Sequence, residues 1–362
     1  TVQNSSANGV NGIWQDSVYL SNDQVWDSGD ALIGQVQRSG ALGAYATYTG
    51  TLDGPMPPVE TGTYYVIVRT DARNNIRESD EGNNVTSSIS STAVNIANLT
   101  LGAALNTSLV TAQERYYSIL NSPADETMLI TLDGEDGSRN ELYSRSGAMV
   151  SRANFEFQDE NGGRADQENV IRNTNAGTYY TMIRGDYVPG SFAPELKRAD
   201  DNKRKALLSP QNVTVKAEIL PFTIRNISPA VAGNSGMTTV VVEGAKFKPG
   251  ATIRLVGQNN TELAPVDGDN SSTRFAAMFD LKGKSAGDYD VVVRNPDNQT
   301  ATLANGFKIV SGGGYSLRSG LVVESEVRPG TTRYIFSASN DGLNDALNVP
   351  ILISFPADYN FR

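Results

Sequence analysis

Three eight-residue segments of this chain repeat one pattern, in which a glycine turn is followed by a tyrosine and an apolar strand that ends in arginine. The segments are GTYYVIVR at 62–69, GTYYTMIR at 177–184 and GDYDVVVR at 287–294. In antiparallel β-sandwiches, a tyrosine near the start of a late strand packs at a corner and hydrogen-bonds to nearby backbone. We interpret the three copies as the same late strand in three successive sandwich domains.

Strand alternation predicts which tyrosine of each copy is buried. Successive side chains of a strand face opposite sides of the sheet, and the third copy has Asp290 at the position after its tyrosine. We therefore expect Tyr64, Tyr179 and Tyr289 to be buried. The second tyrosine of the first two copies should face the other way.

The rest of the chain predicts an all-β fold of tandem antiparallel, Ig-like β-sandwich domains. Short apolar or alternating runs such as TMLITLDG and TTVVVEG are bounded by Gly, Asn, Asp or Pro, as is typical of sandwich strands and their turns. The repeats and linkers divide the chain into three domains and the start of an incomplete fourth β domain, at 1–95, 96–221, 222–310 and 311–362.

The composition excludes several classes of function. The chain has no histidine and no cysteine, so it lacks serine-histidine-aspartate triads, thiolate nucleophiles, disulfides and cysteine zinc sites. A net charge of −10 argues against a nucleic-acid partner, and we interpret the basic cluster at 197–205 as a solvated loop. No apolar run approaches the roughly 18 residues of a membrane helix, so we expect no membrane insertion.

Two groups of carboxylates are candidates for a calcium site. They lie in TDARNNIRESDEGNN at 70–84 and in LDGEDGSRNEL at 132–142. Closely spaced carboxylates can bind calcium, but Asp and Asn also cap backbone amides in turns. Both interpretations stay open, and no other cofactor is expected. The candidate ligands are Asp71, Glu78, Asp80, Asp133 and Asp136.

Neither the carboxylates nor the aromatic residues predict an enzyme. Carboxylate catalysis needs two carboxyl groups that face each other across a cleft, whereas the acidic groups here lie in hairpins and loops. No serine–lysine or phosphate-loop motif is present. Trp14, Tyr19 and Trp26 could form a platform for sugars, or Trp14 and Tyr19 could anchor the first core while Trp26 is exposed. We predict a protein without catalytic activity.

Each of the three domains resembles a known family. The first is similar to CARDB, a cell-adhesion-related domain of bacterial surface proteins, in DSVYLS, in MPPVETGTYYVIV and in the Asp, Asn, Glu and Asn-Asn pattern of 70–84. The second resembles the bacterial pre-peptidase C-terminal family at 114–147 and 175–185, and that resemblance implies occasional calcium binding. The third resembles IPT/TIG Ig-like domains at 227–255 and 286–310.

These resemblances imply a non-catalytic structural and adhesive segment of a large secreted bacterial surface protein. Its expected partners are other copies of the chain, other surface or matrix proteins, or glycans. Two alternatives stay open: a substrate-binding accessory region of a secreted peptidase or other hydrolase, and a subunit of an extracellular filament. The chain opens with the strand-like TVQN instead of a signal peptide, so we expect it to be a piece of a longer polypeptide.

Overall fold

The described part of the chain is built from β-strands and turns. In the computed structural model, α-helix is absent from this part, and two short 3-10 turns occur at Glu81–Asn83 and Gln258–Asn260. The predicted all-β fold is confirmed. No helix in the described ranges has the length and apolar character needed to cross a membrane. The structure describes residues 1–159, 162–191, 209–323 and 334–350.

The chain divides into two compact units, Thr1–Glu218 and Ile219–Arg362. The finer division into four domains stays a prediction. The basic cluster at 197–205 lies outside the described residues, so its assignment to a solvated loop also stays a prediction.

The amino-terminal part of unit 1 (residues 1–95) is one main sheet with a small second sheet. Its strands are β1 Val2–Gln3, β2 Val10–Ser21, β3 Ala31–Leu42, β4 Thr47–Tyr48, β5 Gly62–Arg69, β6 Val85–Ser87 and β7 Thr92–Val94. The main sheet has the order β3-β2-β5-β6, β7 also pairs with β5, and β1 pairs with β4. The buried apolar side chains described in this part are only Trp14, Leu20, Tyr64 and Ile67. Such a thin core leaves more of the stabilisation to polar contacts.

The rest of unit 1 is a β-sandwich of two sheets. Its strands are β8 Ala97–Asn98, β9 Ala104–Leu109, β10 Glu114–Ser122, β11 Met128–Gly134, β12 Arg139–Ser146, β13 Phe157–Gln158, β14 Gln167–Ile171, β15 Gly177–Tyr187 and β16 Gln211–Ile219. The sheet orders are β13-β12-β15-β10-β8 and β14-β11-β16-β9. Both sheets contribute to the core, for example Ile119 and Ile183 from the first and Ile130 and Val215 from the second. This is the packing of a sandwich, with one inner face from each sheet.

Unit 2 contains a second two-sheet sandwich followed by a hairpin. Its strands are β17 Thr223–Ser228, β18 Val231–Gly233, β19 Met237–Ala245, β20 Thr252–Val256, β21 Glu262–Leu263, β22 Asp267–Asn270, β23 Arg274–Asp280, β24 Gly287–Arg294, β25 Thr300–Val310, β26 Leu317–Val323 and β27 Tyr334–Asn340. The sandwich sheets have the orders β17-β19-β23-β22 and β18-β25-β24-β20-β21, and β26 pairs with β27. One continuous apolar core joins the two sandwich sheets, and it includes Val240, Phe279 and Val291.

The three repeated strands occupy interior positions in their sheets. β5 lies between β2 and β6, β15 between β12 and β10, and β24 between β25 and β20. Tyr64, Tyr179 and Tyr289 are only 7%, 1% and 4% exposed. The neighbouring Tyr65 and Tyr180 are half-buried. The predicted register of the repeated tyrosines is confirmed.

Each buried tyrosine hydroxyl bonds to backbone four residues earlier in the chain. The hydroxyl of Tyr64 donates to the carbonyl of Glu60 at 3.0 Å, and that of Tyr289 donates to the carbonyl of Ser285 at 2.9 Å. In the second copy the direction reverses, and the Tyr179 oxygen accepts a backbone N–H at 2.8 Å. A hydrogen bond between the tyrosine hydroxyl and the backbone therefore closes the turn that leads into each repeated strand.

A loop beyond the last hairpin docks on the sandwich of unit 2. Asn344 is 4% exposed, and its side-chain amide donates to the Gly233 carbonyl at 2.7 Å and to the Thr238 hydroxyl at 3.2 Å. The Ser235 hydroxyl donates to the Asn344 side-chain oxygen at 2.9 Å. These bonds tie the fourth predicted segment, 311–362, to the third.

Replacing Tyr64 by phenylalanine should destabilise the amino-terminal part of unit 1, because the change removes one partly buried hydrogen bond. We expect the free energy of unfolding to fall by about 0.5–1.5 kcal/mol in urea denaturation. Tyr65→Phe is the matched control, since Tyr65 is half-buried and has no hydroxyl bond to the described residues. Equal losses in both variants would contradict the role given to the Tyr64 hydroxyl.

Candidate functional site

The first predicted calcium ligand, Asp71, caps the turn that follows β5. Its side chain is buried, at 1% exposure. One carboxylate oxygen accepts the backbone N–H of Asn75 at 2.9 Å, and the other accepts that of Ile76 at 2.8 Å. Both oxygens of Asp71 therefore already have a backbone donor.

The next two predicted ligands, Glu78 and Asp80, lie in the same hairpin. Asp80 is exposed and caps the following 3-10 turn by accepting the N–H of Gly82 at 2.9 Å. The pKa of Glu78 is raised by its partial burial, and further by the negative charges of Glu81, Asp71 and Asp80. The negative charges of the hairpin therefore oppose ionisation of the Glu78 carboxyl group.

Asp133 and Asp136 are exposed near the turn between β11 and β12. Between them lies Glu135, which ties the turn to strand β16: its carboxylate accepts the backbone N–H of Asn212 at 2.9 Å. Within the described ranges, no group of three or more carboxylates is arranged to hold a metal ion. Calcium binding by the five candidate residues stays a prediction.

The three aromatic residues considered as a sugar platform do not form one cluster, because Trp14 lies apart from the contact between Tyr19 and Trp26. Trp14 is 6% exposed and belongs to the core. Trp26 packs edge-on against Tyr19 with ring centroids 6.0 Å apart, and the guanidinium of Arg69 lies 4.2 Å from the Trp26 centroid. Trp26 is half-buried instead of exposed as expected, because Tyr19 and Arg69 pack against it.

A polar network that the sequence did not predict supports the thin core of the amino-terminal part. The indole N–H of Trp14 donates to the Tyr48 hydroxyl at 3.0 Å, which donates to the Asp16 carboxylate at 2.7 Å. The Arg38 guanidinium lies 5.0 Å from the Tyr48 ring centroid and its Nε lies 3.8 Å from the same carboxylate. Burial, aided by the bond to Asp16, raises the pKa of Tyr48 to about 12.

An open cleft of about 450 Å³ in unit 1 exposes mostly polar surface, with a few apolar side chains and two acidic residues in its lining. Three stretches of the amino-terminal part, within 20–22, 29–31 and 58–64, and one residue of the following sandwich form it. Among the described residues that line it, two are acidic and none is lysine or arginine. The lining includes the apolar Leu20, Pro58, Val59 and Met149 and the acidic Asp30 and Glu60.

The two carboxylates of the cleft differ in how far the protein satisfies them. Asp30 accepts the backbone N–H of Asp27 at 2.9 Å. Glu60 is exposed, and its carboxylate forms no ion pair with the described residues. Burial raises the pKa of both Tyr64 and Tyr180, and the charge of Glu60 raises both further. Glu60 therefore lies near Tyr64, the corner tyrosine of the amino-terminal part, and near Tyr180 in the repeated strand of the following sandwich.

One family model matches part of the chain. The CARDB family model matches residues 1–88, within the segment that resembles this family in sequence. A comparison with curated proteins gave no match. The resemblance of the third segment to IPT/TIG domains stays a prediction.

Several solved structures are similar to parts of the chain at low identity. The pre-peptidase C-terminal domain of a collagenase from Bacillus anthracis is 13% identical over 34% of this chain and 94% of that chain, with a TM-score of 0.24. The SGBP-B protein of a Bacteroides ovatus mixed-linkage glucan utilization locus is 9% identical over 88% of this chain and 66% of that chain, with a TM-score of 0.21. The I9–I11 tandem of titin is 12% identical over 85% of this chain and 95% of that chain, with a TM-score of 0.18.

Replacing Asp71 by alanine should destabilise the amino-terminal part of unit 1, because two backbone N–H groups lose their acceptor. We expect a loss of about 1.5–3 kcal/mol in the free energy of unfolding measured in EDTA, as for a hydrogen bond to a charged group. The control Asp133→Ala removes an exposed carboxylate and should change little. A loss that occurs only when calcium is present would contradict the capping role and support the calcium site.

The Tyr48 hydroxyl should ionise near pH 12, about two pH units above an exposed tyrosine. The folded state holds this proton more tightly than the unfolded state, so its contribution to stability is complete below pH 10 and is lost as the pH rises towards 12. Tyr48→Phe should remove this part of the pH dependence in denaturant unfolding. The exposed Tyr45 provides the control variant, Tyr45→Phe. An unchanged dependence in Tyr48→Phe would refute the assignment.

Proposed function

We propose that this chain is a non-catalytic structural and adhesive segment of a secreted bacterial surface protein. Its work is to space and display neighbouring parts of that protein and to contact other proteins, copies of the chain, or glycans outside the cell. The match of the CARDB family model to residues 1–88 carries the proposal. β-Sandwiches follow this domain along the chain, and we propose that they act as spacers.

The absence of catalysis is part of the proposal and is supported by the chemistry of the side chains. The chain has no histidine or cysteine. Asp71 is occupied in capping a turn, and Asp133 and Asp136 are exposed. Glu78, whose pKa is raised, lies in a hairpin and not in the cleft. We propose no cofactor, with calcium as the open alternative.

Contact with other molecules is supported by surfaces that the amino-terminal part leaves open. Strand β3 is twelve residues long and lies at an edge of the described main sheet. The edge of a sheet offers unpaired N–H and C=O groups to an added strand. Large apolar side chains are exposed in the same part, among them Val25, Met56 and Ile89. The β3 edge is also the observation that favours the filament alternative.

The test is a retention assay in which beads coated with the whole chain are passed over immobilised matrix proteins and cell-wall polysaccharides. We expect saturable retention on at least one of these surfaces and no hydrolysis of any. Albumin-coated beads are the control. No retention on any surface would contradict the adhesive function, and release of peptide or sugar fragments would contradict the absence of catalysis. Polymers of the free chain in sedimentation experiments would favour the filament alternative.

A further inference from the structure

The cleft of unit 1 is the feature whose chemistry most narrowly defines a ligand. Its volume of about 450 Å³ lies within the range of about 300–1,000 Å³ typical of small-ligand sites. Leu20, Pro58, Val59 and Met149 give it apolar surface. Polar groups supply most of the exposed lining, so a ligand that fits needs only a short apolar portion to lie against these side chains.

The negative charge of the cleft predicts that the other end of that ligand is positively charged. Asp30 and Glu60 both line it, and lysine and arginine are absent from its described lining. Glu60 has no ion-pair partner among the described residues, and Asp30 uses one carboxylate oxygen for a backbone amide. The negative charge of the cleft is thus left for a ligand to neutralise.

A metal ion fits this site less well than an organic cation. The cleft supplies two carboxylates, and groups of three or more candidate metal ligands are absent from the described residues. Calcium takes six to eight oxygen ligands in proteins. A metal ion would also leave the apolar side chains of the lining without a contact.

We propose that this cleft binds the side chain of a lysine or arginine presented by a basic partner protein. The aliphatic stem of such a side chain packs on apolar surface while its charged end remains free to bond. The stem would lie against Val59 and Met149, and the cationic end would bond to the carboxylates of Glu60 and Asp30. A charge-assisted bond to an arginine or lysine is stronger than one between neutral groups.

The charge of the whole chain argues that the partner is a different protein. The chain carries 40 acidic and 30 basic residues, for a net charge of −10. Copies of an acidic chain repel each other at long range, whereas a basic partner is attracted to it. This inference rests on the proposed contact function, since it names the chemistry of one partner.

The first experiment uses two probes that differ only in charge. N-acetyl-arginine methylamide carries the guanidinium, and the corresponding citrulline compound has nearly the same shape without the charge. Binding to the whole chain is followed by NMR of the Met149 and Leu20 methyl groups. We expect the arginine probe to shift both signals with a Kd on the order of 1 mM, a value reasonable for one side chain. The citrulline probe should bind much more weakly. Equal binding of the two probes, or no shift at about 10 mM, would overturn the proposal.

The second experiment assigns the binding to the cleft. Glu60→Gln keeps the shape of the side chain and should raise the Kd for the arginine probe about tenfold, as expected for the loss of a charge-assisted bond. Asp53→Asn is the matched control, because it removes an equal charge from an exposed position of the same part outside the cleft. Comparable loss in both variants, or no loss in Glu60→Gln, would overturn the site. Added salt should weaken the wild-type interaction.

The outcomes separate this inference from the proposed function. In one outcome, beads coated with the Glu60→Gln variant are still retained while the arginine probe fails to bind the wild-type chain. That result would contradict binding in the cleft and would leave the adhesive function unaffected. Self-association of the chain that Glu60→Gln abolishes would show that a second copy occupies the cleft, which contradicts the basic partner proposed here.

Discussion

The hydrogen bond between a buried tyrosine and the backbone four residues earlier fixes the entry of the repeated strand in all three copies. Each of these strands has neighbours on both sides in its sheet, so its register determines which faces of the sheet are apolar. A slip of one residue would turn every side chain of the strand to the wrong face. Tyr64, Tyr179 and Tyr289 prevent this, because each has a large ring buried at the strand entry and a hydroxyl bonded to the preceding turn.

In the amino-terminal part of unit 1, the same bond also places a functional candidate. The carbonyl of Glu60 accepts a hydrogen bond from the hydroxyl of Tyr64, and both residues line the acidic cleft. The interaction that orders the strand therefore also holds the backbone of the cleft's most available carboxylate. A thin core supported by Trp14, Tyr48 and Asp16 leaves this part with long edges and open surface, which suits contact with other molecules.

The acidic turns show why residue type and spacing alone did not decide between a metal ligand and a cap. Both roles call for carboxylates in tight turns. Asp71 bonds to two backbone amides, and the sequence alone does not show which backbone amides a side chain will contact. Asp133 and Asp136 were selected by the same pattern, yet they lie exposed beside Glu135, which makes the backbone contact.

The sequence by itself determined the all-β fold, the three repeated strands and the burial of their tyrosines, because alternation along a strand assigns each side chain to a face. It also indicated the resemblance to CARDB. Only the tertiary structure decided which distant residues meet: Met149 joins Glu60 in one cleft, Tyr48 joins Trp14 and Asp16 in one network, and Asn344 reaches the sandwich of unit 2. Local periodicity carries no information on these contacts, since they depend on the paths of turns and on the packing of one sheet against another.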